Sequence, residues 1–449
     1  MAEPLTTSPA ASQGSTADTI IGVSEIDLAT YDPMDPSIQQ CPYPHYAAVR
    51  EDGPLFWHEP SAMFFAARHD IVKLILRDTT TFSSVGSNAK NVGSAAVMAE
   101  VATIMEQGWP RAETMLTVDP PIHTSYRRLV AQAFSARRIA TLEDSVREIA
   151  VDLIDAFPDK GTIDFHRDFA VSLPVRVIHF ALNMSDDVID KIKAWSDAAN
   201  VALGADPSDD DRIAAAHLAV EGQRYWFDEY QDRLTHPVDD ILSEIAHADY
   251  QPPNAPDGET RKLEFPEIYS IVKQLMVAGN ETTTKFLNET MRLLIENPAQ
   301  WDALGADRAG TIHGLVEEGL RMSSPNQGLF RYATVDTELA GRKIPAGSKI
   351  WLMFGAANRD EQVFSDGEAF DASRERLNEH LAFGMGRHFC IGAPLSRLEG
   401  TVAFDELAKR LHLPSFAPGN SFEYEPSYVL RGLVQLDLLI EKRALRPTD

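Results

Sequence analysis

The most informative segment of this sequence lies near its C-terminus and reads Phe383-Gly384-Met385-Gly386-Arg387-His388-Phe389-Cys390-Ile391-Gly392. Its glycines at 384 and 386 permit a positive φ and a close approach of the backbone to a flat partner. After Cys390, the apolar spacing of Leu395 and Leu398 predicts a helix. Cys390 would then lie at a helix N-terminus, where free N–H groups and the helix dipole favour thiolate over thiol. A thiolate is the species that ligates iron and donates electron density to it.

Other interpretations of Cys390 have to be weighed against this one. A lone cysteine is most often a small buried hydrophobic residue, and the surrounding pattern is what argues otherwise here. A zinc site is not indicated, because no second Cys or His stands at the usual zinc spacing. The other cysteine, Cys41, lies between Gln40 and Pro42 without such a context, and we interpret it as structural. Two cysteines in unlike contexts make a disulfide framework improbable and favour a reducing cytoplasm.

Composition narrows the class of protein further. The chain has 449 residues, of which 41 are basic and 67 acidic, giving a net charge of -26 that opposes binding to nucleic acid. No Lys or Arg precedes Arg50, so the basic start of a signal peptide is missing. No apolar run approaches the roughly 20 residues that cross a bilayer. We therefore expect a soluble cytoplasmic protein without a membrane partner.

Along the chain, helical spacing dominates and predicts a mainly α fold with a small β region. Residues 1–20, rich in Ser, Thr, Ala and Pro, are predicted to be disordered, and residues 21–449 to form a single domain. Helical spacing extends from Ile122 to Leu234, and short strand patterns occur at 55–67 and 338–353. Residues 83–115 show weak periodicity and resemble a long functional loop, such as a lid. The helical pattern of residues 264–297, which is bounded by Pro266 and Pro298, predicts a helix of roughly 45 to 50 Å.

A polar interruption marks the apolar face of that long helix. It reads Ala278-Gly279-Asn280-Glu281-Thr282-Thr283. The small residues at 278 and 279 leave room for a flat group, and a mid-helix Thr can bond back to the carbonyl four residues earlier. Taken alone, the hexamer could equally be a solvated polar turn.

Together, the two motifs resemble those of the cytochromes P450. Segment 383–392 matches the haem-binding loop of that family, in which Phe, Gly, x, Gly, x, x, x, Cys, x, Gly is the signature. The resemblance implies the family's fold, with a long central helix over haem b, iron ligated by Cys390, and Phe383 packed near the sulfur. It further implies a set of cofactor-binding residues: His123, Arg127, Ala278, Gly279, Arg331, Phe383, Gly384, His388, Cys390 and Gly392.

The resemblance also implies roles for the remaining motifs. Glu281 and Thr282 resemble the family's acid–alcohol pair, with Thr282 at the oxygen site and Glu281 relaying protons. Glu318 and Arg321 would otherwise be taken for a surface ion pair, but they resemble the Glu-x-x-Arg element. Arg374 resembles the third member of that element. A buried triad of this kind is a structural clamp behind the haem loop.

Substrate and partners are implied by the same resemblance. A small hydrophobic substrate and O2 are expected, in a pocket to which the following residues contribute: Val97, Met98, Leu275, Met276, Leu329, Phe330, Val429 and Leu430. No segment resembles a reductase domain, so electrons are expected from a 2Fe–2S ferredoxin and its NAD(P)H-dependent reductase. That ferredoxin would dock on a basic patch made of Arg128, Arg137, Arg138, Arg387 and Arg397. The protein is expected to act as a monomer. A catalytically silent haem protein and a peroxygenase are the alternatives.

Overall fold

A computed structural model gives the structure of residues 26–86, 94–113, 115–131, 134–201, 207–253, 255–256 and 258–445. Residues 1–20, predicted to be disordered, and part of the predicted 83–115 loop lie outside the described residues. Most of the described chain is helical, with small β-sheets, which confirms the predicted fold class. None of the helices in the described part of the chain is both long and apolar enough to cross a membrane.

The α-helices are α1 Pro36–Gln40, α2 Tyr43–Asp52, α3 His69–Arg77, α4 Ala95–Met105, α5 Ile122–Ala131, α6 Ala136–Ala140, α7 Glu143–Asp155, α8 Ser172–Ala181, α9 Ile189–Asn200, α10 Asp209–Thr235, α11 Ile241–His247, α12 Phe265–Glu296, α13 Pro298–Ala306, α14 Arg308–Ser323, α15 Phe354–Ala357 and α16 Ala393–Arg410. The strands are β1 Phe56–His58, β2 Met63–Ala66, β3 Phe82–Ser83, β4 Lys160–Asp164, β5 Leu329–Ala333, β6 Thr337–Leu339, β7 Arg342–Ile344, β8 Lys349–Leu352, β9 Ser415–Phe416 and β10 Asp437–Glu441. A π-helical turn at His166–Val171 precedes α8.

The long helix α12 organises the fold. It begins one residue after the predicted start, where Glu264 and Glu267 form a capping box and Pro266 occupies the first turn. It ends at Glu296, directly before Asn297 and the next proline. Helices α8, α9, α10, α14 and α16 all pack against it. Most of its residues are therefore buried, so any accessible stretch within it needs an explanation.

A five-stranded sheet with the order β1-β2-β8-β5-β3 borders the helical core. In β5, side chains alternate between the two faces of the sheet, so Arg331 points away from its neighbours Phe330 and Tyr332. A second sheet joins β4 to β10, with Ile163 paired to Leu438. Strand β4 falls inside the stretch predicted as helical, so the prediction was wrong over 160–164.

The 83–115 region is not a uniformly irregular loop. Residues 95–105 form α4, and the Ser94 hydroxyl caps it by accepting a hydrogen bond from the Val97 N–H. Ile104 packs against Ala216 and Val220 of α10. The prediction of an irregular segment was therefore wrong over the span of α4.

Candidate functional site

The Cys390 loop adopts the backbone conformation that its glycines allow. Gly384 and Gly386 have φ of 66° and 73°. A Cβ on Gly386 would lie 2.8 Å from the Leu76 carbonyl oxygen, so this position has no space for a side chain. The Cys390 N–H donates to the Phe383 carbonyl at 2.9 Å, which closes the loop, and α16 begins three residues after the cysteine.

The Cys390 thiol experiences opposing electrostatic effects. Burial raises its pKa, while the backbone N–H groups of Gly392 and Ala393 and the charges of Arg127 and Arg397 lower it. The helix N-terminus thus acts in the predicted direction, but burial outweighs it in the protein alone. The side chain is nevertheless accessible. A residue that is both accessible and deep among other atoms faces a cleft inside the molecule, and a cation at that sulfur would favour the thiolate.

Five basic side chains gather near this cleft. The rings of His123 and His388 lie 4.1 Å apart between centroids. Burial, with the charges of Arg127 and Arg387, lowers the pKa of His123 to about 4. Burial, with the charge of Arg331, lowers the pKa of His388 to about 3. Both imidazoles are therefore neutral at pH 7, and the arginines carry the positive charge.

Arg331 lacks adequate hydrogen-bond partners within the described protein. It is buried, and its Nη1 donates at 2.7 Å only to the carbonyl of its neighbour Phe330. Its buried Nε has no hydrogen-bond partner among the described residues. Burial lowers its pKa to about 10. An arginine held in this way needs carboxylate oxygens. Haem requires a ligand for its iron and cationic or hydrogen-bonding partners for its two propionates. The Cys390 thiol and the basic side chains beside it meet these requirements, so the residues present fit haem.

The second motif lies on an accessible stripe of α12. Between 270 and 290, every residue of the helix is buried except Lys273, Gln274, Val277, Ala278, Gly279 and Thr282, which we call the open stripe. Ala278 is exposed although it lies at the middle of the central helix. The Thr282 hydroxyl donates to the Ala278 carbonyl at 2.8 Å, as the motif predicted. A Cβ at Gly279 would make only ordinary contact with Ile178.

Glu281 is buried beside Thr282 and is held by two lysines. Its carboxylate oxygens lie 3.2 Å from Lys285 Nζ and 3.3 Å from Lys193 Nζ. Lys285 also binds Glu425 at 2.8 Å. Burial would raise the pKa of Glu281, but the two ammonium groups outweigh it and hold that pKa below its usual range. The carboxylate is therefore ionised and able to accept a proton.

The three predicted clamp residues form one buried group. Glu318 and Arg321 are both 0% exposed and make two parallel hydrogen bonds of 2.7 Å. Arg374 Nε lies 3.2 Å from the same carboxylate. Arg321 also donates to the carbonyls of Asn358 and Gly367, at 2.7 Å each. The clamp thereby fixes the segment between β8 and the Cys390 loop.

Sequence reasoning missed a second buried ion network next to the clamp. Glu317 receives two hydrogen bonds from Arg397, at 2.6 and 2.8 Å, and one from His380 at 3.1 Å. Burial would raise the pKa of Glu317, but these partners lower it to about 2. The Arg397 guanidinium lies over the Phe383 ring at 4.7 Å. The signal available in the sequence was a second glutamate directly before Glu318.

The basic patch is only partly free to bind a partner. Arg397 is engaged by Glu317, and Arg138 forms an ion pair with Asp239 at 3.0 Å. Arg128, Arg137 and Arg387 are exposed, and none of them forms an ion pair within the described residues.

The eight predicted pocket residues are distributed over several packing clusters of the protein, and their role as pocket lining stays a prediction. Leu275 and Met276 are buried in the main hydrophobic core and do not belong to the open stripe. Phe330, Val429 and Leu430 belong to a separate cluster beside the sheet. Leu329 is half-buried at the edge of another cluster. On α4, Val97 is half-buried and Met98 is 41% exposed.

Comparison with known proteins gives consistent results. Residues 311–415, which include the clamp and the Cys390 loop, match the family model described as Cytochrome P450. Cytochrome P450 107B1 of Saccharopolyspora erythraea is 35% identical over 325 residues, covering 72% of this chain and 76% of that protein. Putative cytochrome P450 123 of Mycobacterium tuberculosis is 31% identical over 412 residues, covering 92% of this chain and 97% of the relative. The solved structure of cytochrome P450 CYP109Q5 from Chondromyces apiculatus superposes with a TM-score of 0.79 at 30% identity, covering 93% of this chain and 100% of that one.

Proposed function

Because this chain belongs to the cytochrome P450 family of haem-dependent monooxygenases, we propose that it hydroxylates a small hydrophobic molecule with O2 and electrons from a 2Fe–2S ferredoxin and its NAD(P)H-dependent reductase. The observation that carries the proposal is the convergence of the Cys390 thiol with His123, Arg127, Arg331 and His388 at one cleft.

Haem b, when bound, supplies the redox chemistry that inserts one oxygen atom of O2 into an unactivated C–H bond. The protein supplies position and protons. Cys390 provides the sulfur ligand, and Arg127 and Arg331 hold the propionates together with the neutral histidines His123 and His388.

Proton delivery is assigned to the neighbouring pair on α12. The Thr282 hydroxyl lies on the open stripe, and its bond to the Ala278 carbonyl leaves its oxygen lone pairs free to accept a proton or a hydrogen bond. Glu281 lies one residue away, ionised and salt-bridged to Lys193 of α9 and to Lys285. We propose that Glu281 takes a proton from the Lys193 side and passes it through water towards Thr282.

The decisive test is the carbon monoxide difference spectrum of the reduced, haem-loaded protein. The wild type is expected to show the absorption band characteristic of thiolate-ligated haem. Cys390→Ser should lose that band, whereas Cys41→Ser should keep it, since Cys41 is also a free exposed cysteine but lies far along the chain. An unaltered spectrum in Cys390→Ser would contradict the assignment. Turnover with ferredoxin and reductase, compared with turnover on H2O2 alone, separates a monooxygenase from a peroxygenase.

We also propose that the protein acts as a monomer in a reducing cytoplasm. Both cysteines are free, which suits that compartment. Sedimentation of the purified protein tests the monomer.

A further inference from the structure

The ion pair between Glu317 and Arg397 has no part in the proposed mechanism, yet it lies against the Cys390 loop. The Glu317 side chain is 0% exposed and that of Arg397 is 32% exposed. Nε and Nη2 of Arg397 donate to the two carboxylate oxygens of Glu317 at 2.6 and 2.8 Å. Two parallel hydrogen bonds of this kind fix the plane of the guanidinium as well as its position.

The guanidinium that Glu317 fixes lies over the ring of Phe383. Its central carbon is 4.7 Å from the ring centroid, and a cation over an aromatic face is attracted by the ring. The carbonyl of Phe383 accepts the hydrogen bond from the Cys390 N–H at 2.9 Å. The charge of Arg397 is also one of those that lower the pKa of Cys390. Arg397 thus acts on the cysteine both through Phe383 and through its charge.

His380 connects Glu317 to the same loop by a second route. Its Nδ1 accepts a hydrogen bond from the Ala382 N–H at 3.2 Å, so the ring hydrogen that can be donated is on Nε2. Nε2 donates to Glu317 at 3.1 Å. Ala382 directly precedes Phe383, and the rings of His380 and Phe383 lie 5.8 Å apart between centroids. One buried carboxylate therefore holds both the cation over the Phe383 ring and the backbone just before it.

These contacts have an electrostatic consequence for a haem bound at Cys390. A sulfur that ligates iron carries negative charge, and a cation near it favours the state with one more electron. Glu317 offsets part of the positive charge of Arg397. Because both groups are largely enclosed by protein, their charges are screened less than charges on the surface would be.

We propose that Arg397 and Glu317 are positioning residues that set how readily the bound haem is reduced. Arg397 favours the reduced form, and Glu317 fixes Arg397 in place while limiting that effect. This inference rests on the proposed function, because it requires haem ligated by Cys390. It gives Arg397, which the sequence placed in the basic patch, a role inside the protein.

The test is the midpoint reduction potential of the haem-loaded full chain, measured by spectroelectrochemical titration without substrate. Arg397→Met keeps an unbranched apolar side chain but removes the cation. The equilibrium between oxidised and reduced haem should shift about tenfold towards the oxidised form, which lowers the potential by about 59 mV for one electron. Glu317→Gln leaves the charge of Arg397 uncompensated, so the potential should rise.

The double variant Glu317→Gln/Arg397→Met removes both charges, and its potential should return towards the wild-type value. Opposite shifts that cancel in this way are the signature of charge, because loosened packing would move all three variants in the same direction. Arg397→Met leaves Glu317 without its main counter-ion, which is costly in a buried site. If that variant does not retain haem, a higher potential in Glu317→Gln than in the double variant supports the inference, and equal potentials contradict it.

Arg410→Met is the matched control. Arg410 also belongs to α16 and pairs with a buried glutamate, Glu406, but it lies about 20 Å further along the helix axis. The substitution removes the same charge, and the reduction equilibrium should stay within about twofold of the wild type. Shifts of the same sign in the two single variants, shifts no larger than that of Arg410→Met, or a double variant that does not return towards the wild type overturn the inference. The carbon monoxide spectrum of the wild type tests the proposed function separately, since a thiolate-type band there is independent of these shifts.

Discussion

The cysteine side of the molecule and the open stripe of α12 treat buried charge in opposite ways. On the cysteine side, Glu318 has Arg321 and Arg374, and Glu317 has Arg397 and His380. On the open stripe, Lys273 and Gln274 have no such partners among the described residues. In the first region, both of these acids are paired within the protein. The second leaves the buried side-chain oxygen of Gln274 without a hydrogen-bond partner among the described residues.

The largest effect is expected from breaking the clamp. Glu318→Gln leaves the fully buried Arg321 without its counter-ion, and we expect the free energy of unfolding to fall by about 3–5 kcal/mol. Urea denaturation of the haem-loaded protein, followed by circular dichroism, measures this loss. Glu379→Gln is the matched control, because Glu379 and Arg376 have the same three-residue spacing but are 35% and 50% exposed, and little change is expected there. Equal losses in the two variants would contradict a buried clamp.

Glu281 tests whether a paired charge on α12 is catalytic. Glu281→Gln removes the proton acceptor while keeping its shape, and product formation is expected to fall about a hundredfold. Product formation is measured with whichever small hydrophobic molecule shifts the Soret band most, and the carbon monoxide spectrum should stay unchanged. Glu425→Gln removes the other partner of Lys285 and should have a much smaller effect. A similar loss in both variants would assign the effect to Lys285 placement instead.

One acid on the cysteine side is an exception to the pairing there. Glu399 of α16 is buried, and among the described residues its side chain has a hydrogen bond from Thr283 of α12 but no cation beside it; burial raises its pKa to about 8. In the unfolded chain its pKa is near 4.5. The folded state therefore binds the proton more tightly, and this contribution to stability is complete below pH 4.5 and lost as the pH rises through about 8.

Glu399→Gln removes that pH dependence. Between pH 6 and pH 8 the wild type is expected to lose about 2 kcal/mol of unfolding free energy relative to the variant. Urea denaturation at both pH values measures the difference. Parallel behaviour of the two proteins would mean that Glu399 is charged and has a partner.

Much of the cysteine side could be predicted from sequence because its motifs are short and local. The three-residue spacing of Glu318 and Arg321 places both side chains on one helix face. The glycines before Cys390 permit the positive φ that the loop adopts. The bounds of α12 followed, within a few residues, from the helical pattern and its flanking prolines. The features that the sequence did not predict depend on residues that are far apart along the chain. Strand β4 forms because residues 437–441 pair with it, and Arg397 is committed by Glu317, 80 residues earlier in the chain.

The open stripe also shows that burial depends on residues outside the local sequence. In the sequence, Lys273 and Gln274 are ordinary polar residues of an amphipathic helix, while Leu275 and Met276 look like pocket lining. The helical repeat sets the direction that each side chain faces, and the helices packed around α12 decide which of these directions are covered. Those packed helices bury Leu275 and Met276 and leave Lys273 and Gln274 accessible. Local periodicity does not contain that information.

The smallest expected effect is on the rate of reduction by ferredoxin, and it distinguishes arginines of the basic patch that lack an ion pair from those that have one. Arg128 and Arg387 are exposed without an ion pair among the described residues, whereas Arg138 is held by Asp239. Steering of an acidic ferredoxin depends on uncompensated charge. We expect Arg128→Glu to slow reduction by a 2Fe–2S ferredoxin about tenfold at low salt. Arg138→Glu should slow it less, because its charge is already partly neutralised. Stopped-flow reduction under carbon monoxide measures both rates, and the difference should shrink as salt screens the charges. Equal, salt-independent rates would place the ferredoxin elsewhere on the surface.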